Sequence, residues 1–245
     1  MQINQEKCVG CGICIPWCPV EAIYLNEDRK AVVNLDRCVE CWICYRVVDC
    51  PTDAIRPPGE LKPPRDLMWN FACPTKDWAV TRVAGRGTEE MKTNDVTGRF
   101  GYGDVGFEVE LGRPGVAATF NDVEKVTMAV APLDVEFEPN NPLTTLIDTE
   151  TGRLKDESLR KVRILSGVLE FKSGMDKAEE ILKAIQEASK EIDTVMSVSV
   201  INRVLPDGSI PILTILKEMG IPYRPNMKVN VGLGRPSSPV KVSEE

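Results

Sequence analysis

Two stretches near the N-terminus decide how this chain is read: Cys8-Val-Gly-Cys11-Gly-Ile-Cys14-Ile-Pro-Trp17-Cys18-Pro19 and Cys38-Val-Glu-Cys41-Trp42-Ile-Cys44-Tyr-Arg-Val-Val-Asp-Cys50-Pro51. Each holds three cysteines at two-residue spacing and a fourth, more distant cysteine followed by proline. The residues after them also repeat, Cys18-Pro-Val-Glu-Ala-Ile matching Cys50-Pro-Thr-Asp-Ala-Ile. Eight of the nine cysteines lie in these runs, and the 245 residues include no histidine. That absence removes histidine general bases and every His-ligated zinc, haem or Rieske centre.

The spacing Cys-x2-Cys-x2-Cys-x3-Cys-Pro resembles the ligand run of bacterial-type two-cluster [4Fe–4S] ferredoxins, over residues 1–56. Three closely spaced cysteines let one short loop cover three corners of a cubane. Gly10 and Gly12 let the backbone approach its sulfur face. The resemblance implies crossed wiring: cluster I on Cys8, Cys11, Cys14 and Cys50, and cluster II on Cys38, Cys41, Cys44 and Cys18. The five residues between Cys44 and Cys50 depart from the usual three and alter the loop beside the fourth ligand of cluster I. A disulfide scaffold would need an oxidising compartment, and the N-terminus has no apolar signal region. Structural zinc uses paired Cys-x2-Cys rather than triplets with a remote Cys-Pro.

Residues 1–56 carry six basic and eight acidic side chains, a mild balance that fits a permanently docked domain better than a freely diffusing carrier. Trp17 and Trp42 sit inside the ligand loops. They read either as lids against water or as electron-path residues beside a partner's cofactor. The run Cys38-Val-Glu-Cys41-Trp42-Ile-Cys44-Tyr is similar to a segment in the iron–sulfur subunit of adenylylsulfate reductases, and Asp66-Leu-Met-Trp69 is weakly similar to another. This resemblance implies an electron-transfer subunit serving a catalytic flavoprotein of the fumarate-reductase type, with FAD in that partner.

Residues 57–64 hold four prolines in eight positions and read as a stiff extended start to a proline- and glycine-rich connector over 57–103. Cys73, in Phe71-Ala-Cys73-Pro, admits three readings: an inert buried thiol, a redox thiol near a flavin, or an alternative ligand. Residues 104–234 alternate strand and helix patterns. Strands are expected at 107–111, 135–137, 162–172, 194–204 and 227–233. A helix is expected over 121–131, opened by Asn121, with Val123, Val126 and Val130 on one face. Another covers 175–192 with the stripe Ala178, Ile181, Leu182, Ile185 and Ala188, and a short one covers 209–219. The fold class expected is α+β: an N-terminal two-cluster ferredoxin domain, then a ferredoxin-like α/β sandwich of helices on a mainly antiparallel sheet. Residues 235–245 read as a polar tail.

Leu-Gly-Arg-Pro occurs at 111–114 and 233–236, which marks Arg113 and Arg235 as candidate partner contacts. No Walker or dinucleotide-binding glycine motif opens a helix. The net charge of −7 argues against nucleic acid, and no apolar run is long enough to span a membrane. The expectation is a cytoplasmic, non-catalytic electron-transfer subunit of a heteromeric oxidoreductase. The alternatives are a stand-alone iron–sulfur reductase and a redox-responsive regulator that binds a small ligand.

Overall fold

The N-terminal residues build one piece of backbone twice. The Asn4 carboxamide accepts the N–H groups of Glu6 and Lys7 at 2.9 and 3.0 Å, and the Cys8 N–H reaches the Asn4 carbonyl at 3.0 Å. In the second half Asn34 does the same for Asp36 and Arg37, and the Cys38 N–H meets the Asn34 carbonyl at 3.0 Å. Asparagine turns of this kind let a side chain stand in for a turn carbonyl. The computed structural model describes residues 1–73, 75–82, 85–86, 98–113 and 115–224.

Two small antiparallel ribbons frame this unit. Strand β1 (Gln2–Ile3) pairs with β4 (Ile55–Arg56), and β2 (Ile23–Leu25) pairs with β3 (Ala31–Val33). The longer spacing between Cys44 and Cys50 accommodates the short helix α1 (Ile43–Val47), after which Val48 is buried. Gly10 has φ +70°, and a Cβ there would stand 2.0 Å from the Arg29 carbonyl oxygen, so only glycine fits the close approach. At the equivalent position of the second half, Glu40 occupies the left-handed region at φ 52°.

The segment expected as a connector contains a helix, α2 (Arg65–Ala72), that packs on the rest of the protein. Phe71 and Trp78 belong to the core of the C-terminal unit, and the Phe71 ring meets Phe120 at 5.6 Å. Helical periodicity is hard to see there because the helix is short and only Met68 and Phe71 are buried.

The C-terminal unit is a four-stranded antiparallel sheet of β5 (Asp104–Leu111), β7 (Glu136–Phe137), β9 (Gly167–Gly174) and β10 (Met196–Asn202). Its spatial order is β10-β5-β9-β7. Counted along the chain this is 4-1-3-2, the split βαβ arrangement of the ferredoxin-like sandwich. Alternation puts Val105, Phe107, Val109 and Leu111 wholly inside. Helices α3 (Phe120–Val130) and α5 (Ala178–Ser189) bury the stripes read from sequence against these residues. Helix α4 (Pro142–Leu146) closes one end, and α6 (Pro211–Glu218) packs Ile212 and Leu216 into the same core.

Two sequence expectations are corrected here. Helix α3 is opened by Thr119, not Asn121. The Thr119 hydroxyl accepts the Asp122 N–H, and the Asp122 carboxylate accepts the Thr119 N–H, a reciprocal capping box. The expected strand over 162–172 is two strands. Strand β8 (Arg163–Ile164) pairs with β6 (Ala118–Thr119), and the break at Leu165 and Ser166 sends β9 into the main sheet. The expected strand at 227–233 and the tail at 235–245 lie outside the described residues.

Phe107 is fully buried and stacks on Phe171 with ring centroids 5.3 Å apart. Phe107→Ala is expected to cost about 3–5 kcal/mol, read as a lower denaturant midpoint with an unchanged slope. A loss below about 1 kcal/mol would mean that this core does not hold the sheet.

Candidate metal centre

The eight cysteines of the two runs line two cavities. The first is walled by Cys8, Cys11, Cys14 and Cys50, with Ile3, Val9, Ile13, Ala31 and Ile55 among its apolar neighbours. The second is walled by Cys18, Cys38, Cys41 and Cys44, with Val20, Ile23, Val33, Val39 and Trp42 beside them. Each cavity thus takes three cysteines from one run and the fourth from the other. All nine cysteines are free thiols.

Backbone dipoles point at several of these sulfurs. The Ala22 N–H donates to Cys18 Sγ at 3.1 Å, and the Ala54 N–H donates to Cys50 Sγ at 3.3 Å. These two bonds are equivalents, each made by the alanine four residues past the cysteine. Each follows a left-handed residue, Glu21 at φ 53° and Asp53 at φ 55°. The Ala31 N–H donates to Cys8 Sγ at 3.3 Å from the tip of the β2–β3 ribbon.

The electrostatics of the quartets by themselves are unfavourable. Burial pushes the Cys44 thiol up to about 12, and the neighbouring Cys41, Cys38 and Cys18 add like charge. Burial likewise raises Cys14, Cys38 and Cys41. Burial also opposes the thiolate at Cys50, but the N–H groups of Ala54 and Thr52 outweigh it and hold the thiol below its usual value. Four sulfurs facing one apolar cavity become thiolates together only with a multiply charged cation between them. The donor chemistry, four cysteines in each set and no histidine, fits an iron–sulfur cluster.

Trp42 lines the second cavity, donates its indole N–H to Glu40 at 2.8 Å and packs on Trp69 with ring centroids 4.8 Å apart. Trp17 lines neither cavity and is half exposed. Cys73 also lines neither. It caps α2, lies buried with its sulfur 3.5 Å from the Thr75 hydroxyl, and has its thiol held below the usual range by Thr75 and the backbone, against the effect of burial. Arg113 is mostly exposed and pairs with Glu110 at 3.0 Å, while Arg235 lies outside the described residues.

Glu40 is the residue that sequence reasoning missed. Its carboxylate is fully buried and accepts from the Met1 ammonium at 2.7 Å, from the Trp42 indole and from the Arg65 guanidinium. Burial opposes its charge, but these donors outweigh burial and hold the carboxyl below its usual range. The available signal was the repeat itself: where the first run has Gly10 and Gly12, the second has Glu40 and Trp42, both left-handed. Residues that accept such backbone strain are held there by something specific.

A family described as the 4Fe-4S dicluster domain matches residues 1–56. A ferredoxin of Methanothermococcus thermolithotrophicus is 40% identical over 55 residues, 22% of this chain and 88% of its own length. A ferredoxin of Rickettsia felis is 43% identical over 57 residues, 22% of this chain and 50% of its own. A polysulfide reductase component of Wolinella succinogenes is 40% identical over 53 residues, 21% of this chain and 27% of its own. The chain spans about half the length of the first curated relatives it matches. No solved structure matches it.

Cys50→Ser is expected to lose about half of the iron in an anaerobic preparation, while Cys73→Ser retains all of it. Equal losses in both variants would remove Cys73 from its non-ligand role. Glu40→Ala is expected to lower stability by about 3 kcal/mol, because it leaves the buried ammonium and Arg65 without their counter-charge. Thermal unfolding followed by far-UV circular dichroism measures this, and an unchanged midpoint would contradict it.

Proposed function

Because the chain belongs, through residues 1–56, to the 4Fe-4S dicluster ferredoxins, we propose that it is an electron-transfer subunit of an oxidoreductase. Cluster I would be held by Cys8, Cys11, Cys14 and Cys50, and cluster II by Cys38, Cys41, Cys44 and Cys18. The observation that supports this most is that each of two similar cavities is lined by one complete quartet, three cysteines from one run and one from the other. When bound, a [4Fe–4S] cluster supplies a one-electron redox centre whose potential follows net charge, hydrogen bonds to sulfur and exposure.

The chain's own residues prepare for that chemistry. The amides of Ala22, Ala31 and Ala54 aim their positive ends at cysteine sulfur, where negative charge accumulates. Val20 and Val39 wall the second cavity with buried apolar side chains, whereas Val9 and Ile13 line the first and reach the surface. Trp42 stands between the second cavity and Trp69, which makes this aromatic pair the proposed electron path on that side. Trp17, at the surface of the first ligand run, is the second path candidate.

The partner is proposed to be a catalytic flavoprotein subunit carrying FAD. The mild charge of residues 1–56 and a relative named as one chain of a polysulfide reductase support a docked subunit of a larger complex, and the FAD rests solely on the similarity of the Cys38–Tyr45 run to adenylylsulfate reductase iron–sulfur subunits. Arg113 is a candidate contact, and Arg235 another by sequence. A permanent interface of this kind buries more than about 2,000 Å². Among the described residues no helix is long and apolar enough to cross a membrane.

The test begins with protein purified anaerobically from its own cells. About eight irons per chain and a co-purifying FAD-containing subunit are expected. About four irons, or a chain purified without any partner, would overturn the respective halves of the proposal. In stopped-flow reduction of the complex, Trp42→Ala is expected to slow transfer about tenfold or more, whereas Trp42→Phe keeps the ring and most of the rate. Equal rates in wild type and Trp42→Ala would take Trp42 off the path.

A further inference from the structure

The two edges of the C-terminal sheet are built differently. The β7 edge is two residues long and carries Glu136, which pairs with Arg99 and Lys172. Short, charged edges resist pairing with other strands. The β10 edge is seven residues long, Met196-Ser-Val-Ser-Val-Ile-Asn202, with no charge, proline or glycine. Among the described residues it pairs only with β5, so one side of its backbone is without a strand neighbour. Val195, Val198 and Val204 are all more than a third exposed along it. An uncharged, exposed edge of this length is a template for strand addition.

We propose that the occupant is a second copy of this chain, paired antiparallel through β10 about a two-fold axis at Ser199. Two observations select this occupant. The first is pattern. To keep the helix layers of both copies on one face, paired residues must have equal parity. Centring on Ser199 satisfies this and pairs all seven residues, setting Val198 against Val200 of the other copy on the helix-covered face. The second is charge. Glu191 and Asp193 precede the strand, and Arg203 follows it. Antiparallel pairing about Ser199 puts Arg203 opposite Val195 and diagonal to Asp193 of the other copy, within reach of cross-strand pairing. Among the described residues neither Asp193 nor Arg203 has an ion-pair partner in its own chain. Arg203 lies over the Tyr102 ring at 4.6 Å, which holds the guanidinium beside the strand end. The result would be one continuous eight-stranded sheet. This inference does not depend on the identity of the electron-transfer partner.

The experiment is sedimentation velocity and native mass spectrometry of the full-length, cluster-loaded chain between about 1 and 100 μM. A dimer is expected, and Val198→Lys should shift it to monomer with visible absorbance and secondary structure unchanged. Arg203→Glu and Asp193→Arg should each weaken the dimer about tenfold, and the double variant should recover most of the loss. A monomer throughout would overturn the proposal. So would a dimer insensitive to Val198→Lys, or a dimer that forms only after residues 225–245 are removed, which would make the chain's own C-terminal segment the occupant. Failure of the double variant to recover would overturn the charge-selected register.

Discussion

Each cysteine cavity is closed from both halves of the N-terminal repeat, and this shared closure is the constraint on which the unit depends. A loop with cysteines two residues apart covers one side of a cavity and leaves a sulfur to be supplied from elsewhere. Cys50 returns to the cavity of Cys8, Cys11 and Cys14, and Cys18 reaches that of Cys38, Cys41 and Cys44. Neither half therefore completes a site alone. The small ribbons β1–β4 and β2–β3 are too short to be stable by themselves, and they gain their order from the cysteine loops they tie together.

The repeat is broken where the two halves must do different things. Gly10 is required by its close approach to Arg29. Its counterpart Glu40 accepts the same left-handed backbone and uses its side chain to gather the Met1 ammonium, Trp42 and Arg65. Arg65 opens α2, and Phe71 on that helix enters the core of the C-terminal unit. A single buried carboxylate thereby links the wall of the second cavity to the helix that joins the two units. Leu165 and Ala117 make the reverse contact, packing against the N-terminal core from the C-terminal unit. Residues 57–82 are a joint between units and more than a spacer.

The C-terminal unit has one apolar core shared by the sheet and its helices. Several of its buried polar groups are engaged in structure: Asn141 caps α4 and donates to Glu170, and Glu124 accepts the Leu154 N–H and pairs with Arg160. Such groups stiffen a scaffold, since each would be costly to leave unpaired.

The amino-acid sequence by itself determined the cysteine runs, the α+β class and the position of most elements. Cysteine spacing is local chemistry, and the apolar stripes of α3 and α5 and the alternation of β5 are local periodicities that survive in the folded core. It also carried the crossed quartets, though only through resemblance, since spacing alone does not say which run supplies a fourth ligand. What tertiary structure decided was everything that rests on contacts distant in sequence. Helix α2 has too little periodicity to announce itself and is fixed by Phe71 against Phe120 and by Arg65 against Glu40. The burial of Glu40 depends on a chain end and on a residue twenty-five positions away. The 4-1-3-2 sheet order, and with it the contrast between a blunted β7 edge and an open β10 edge, is set by how strands from four places meet. Strand pairing is a non-local choice, so a pattern that reveals each strand does not reveal its neighbours.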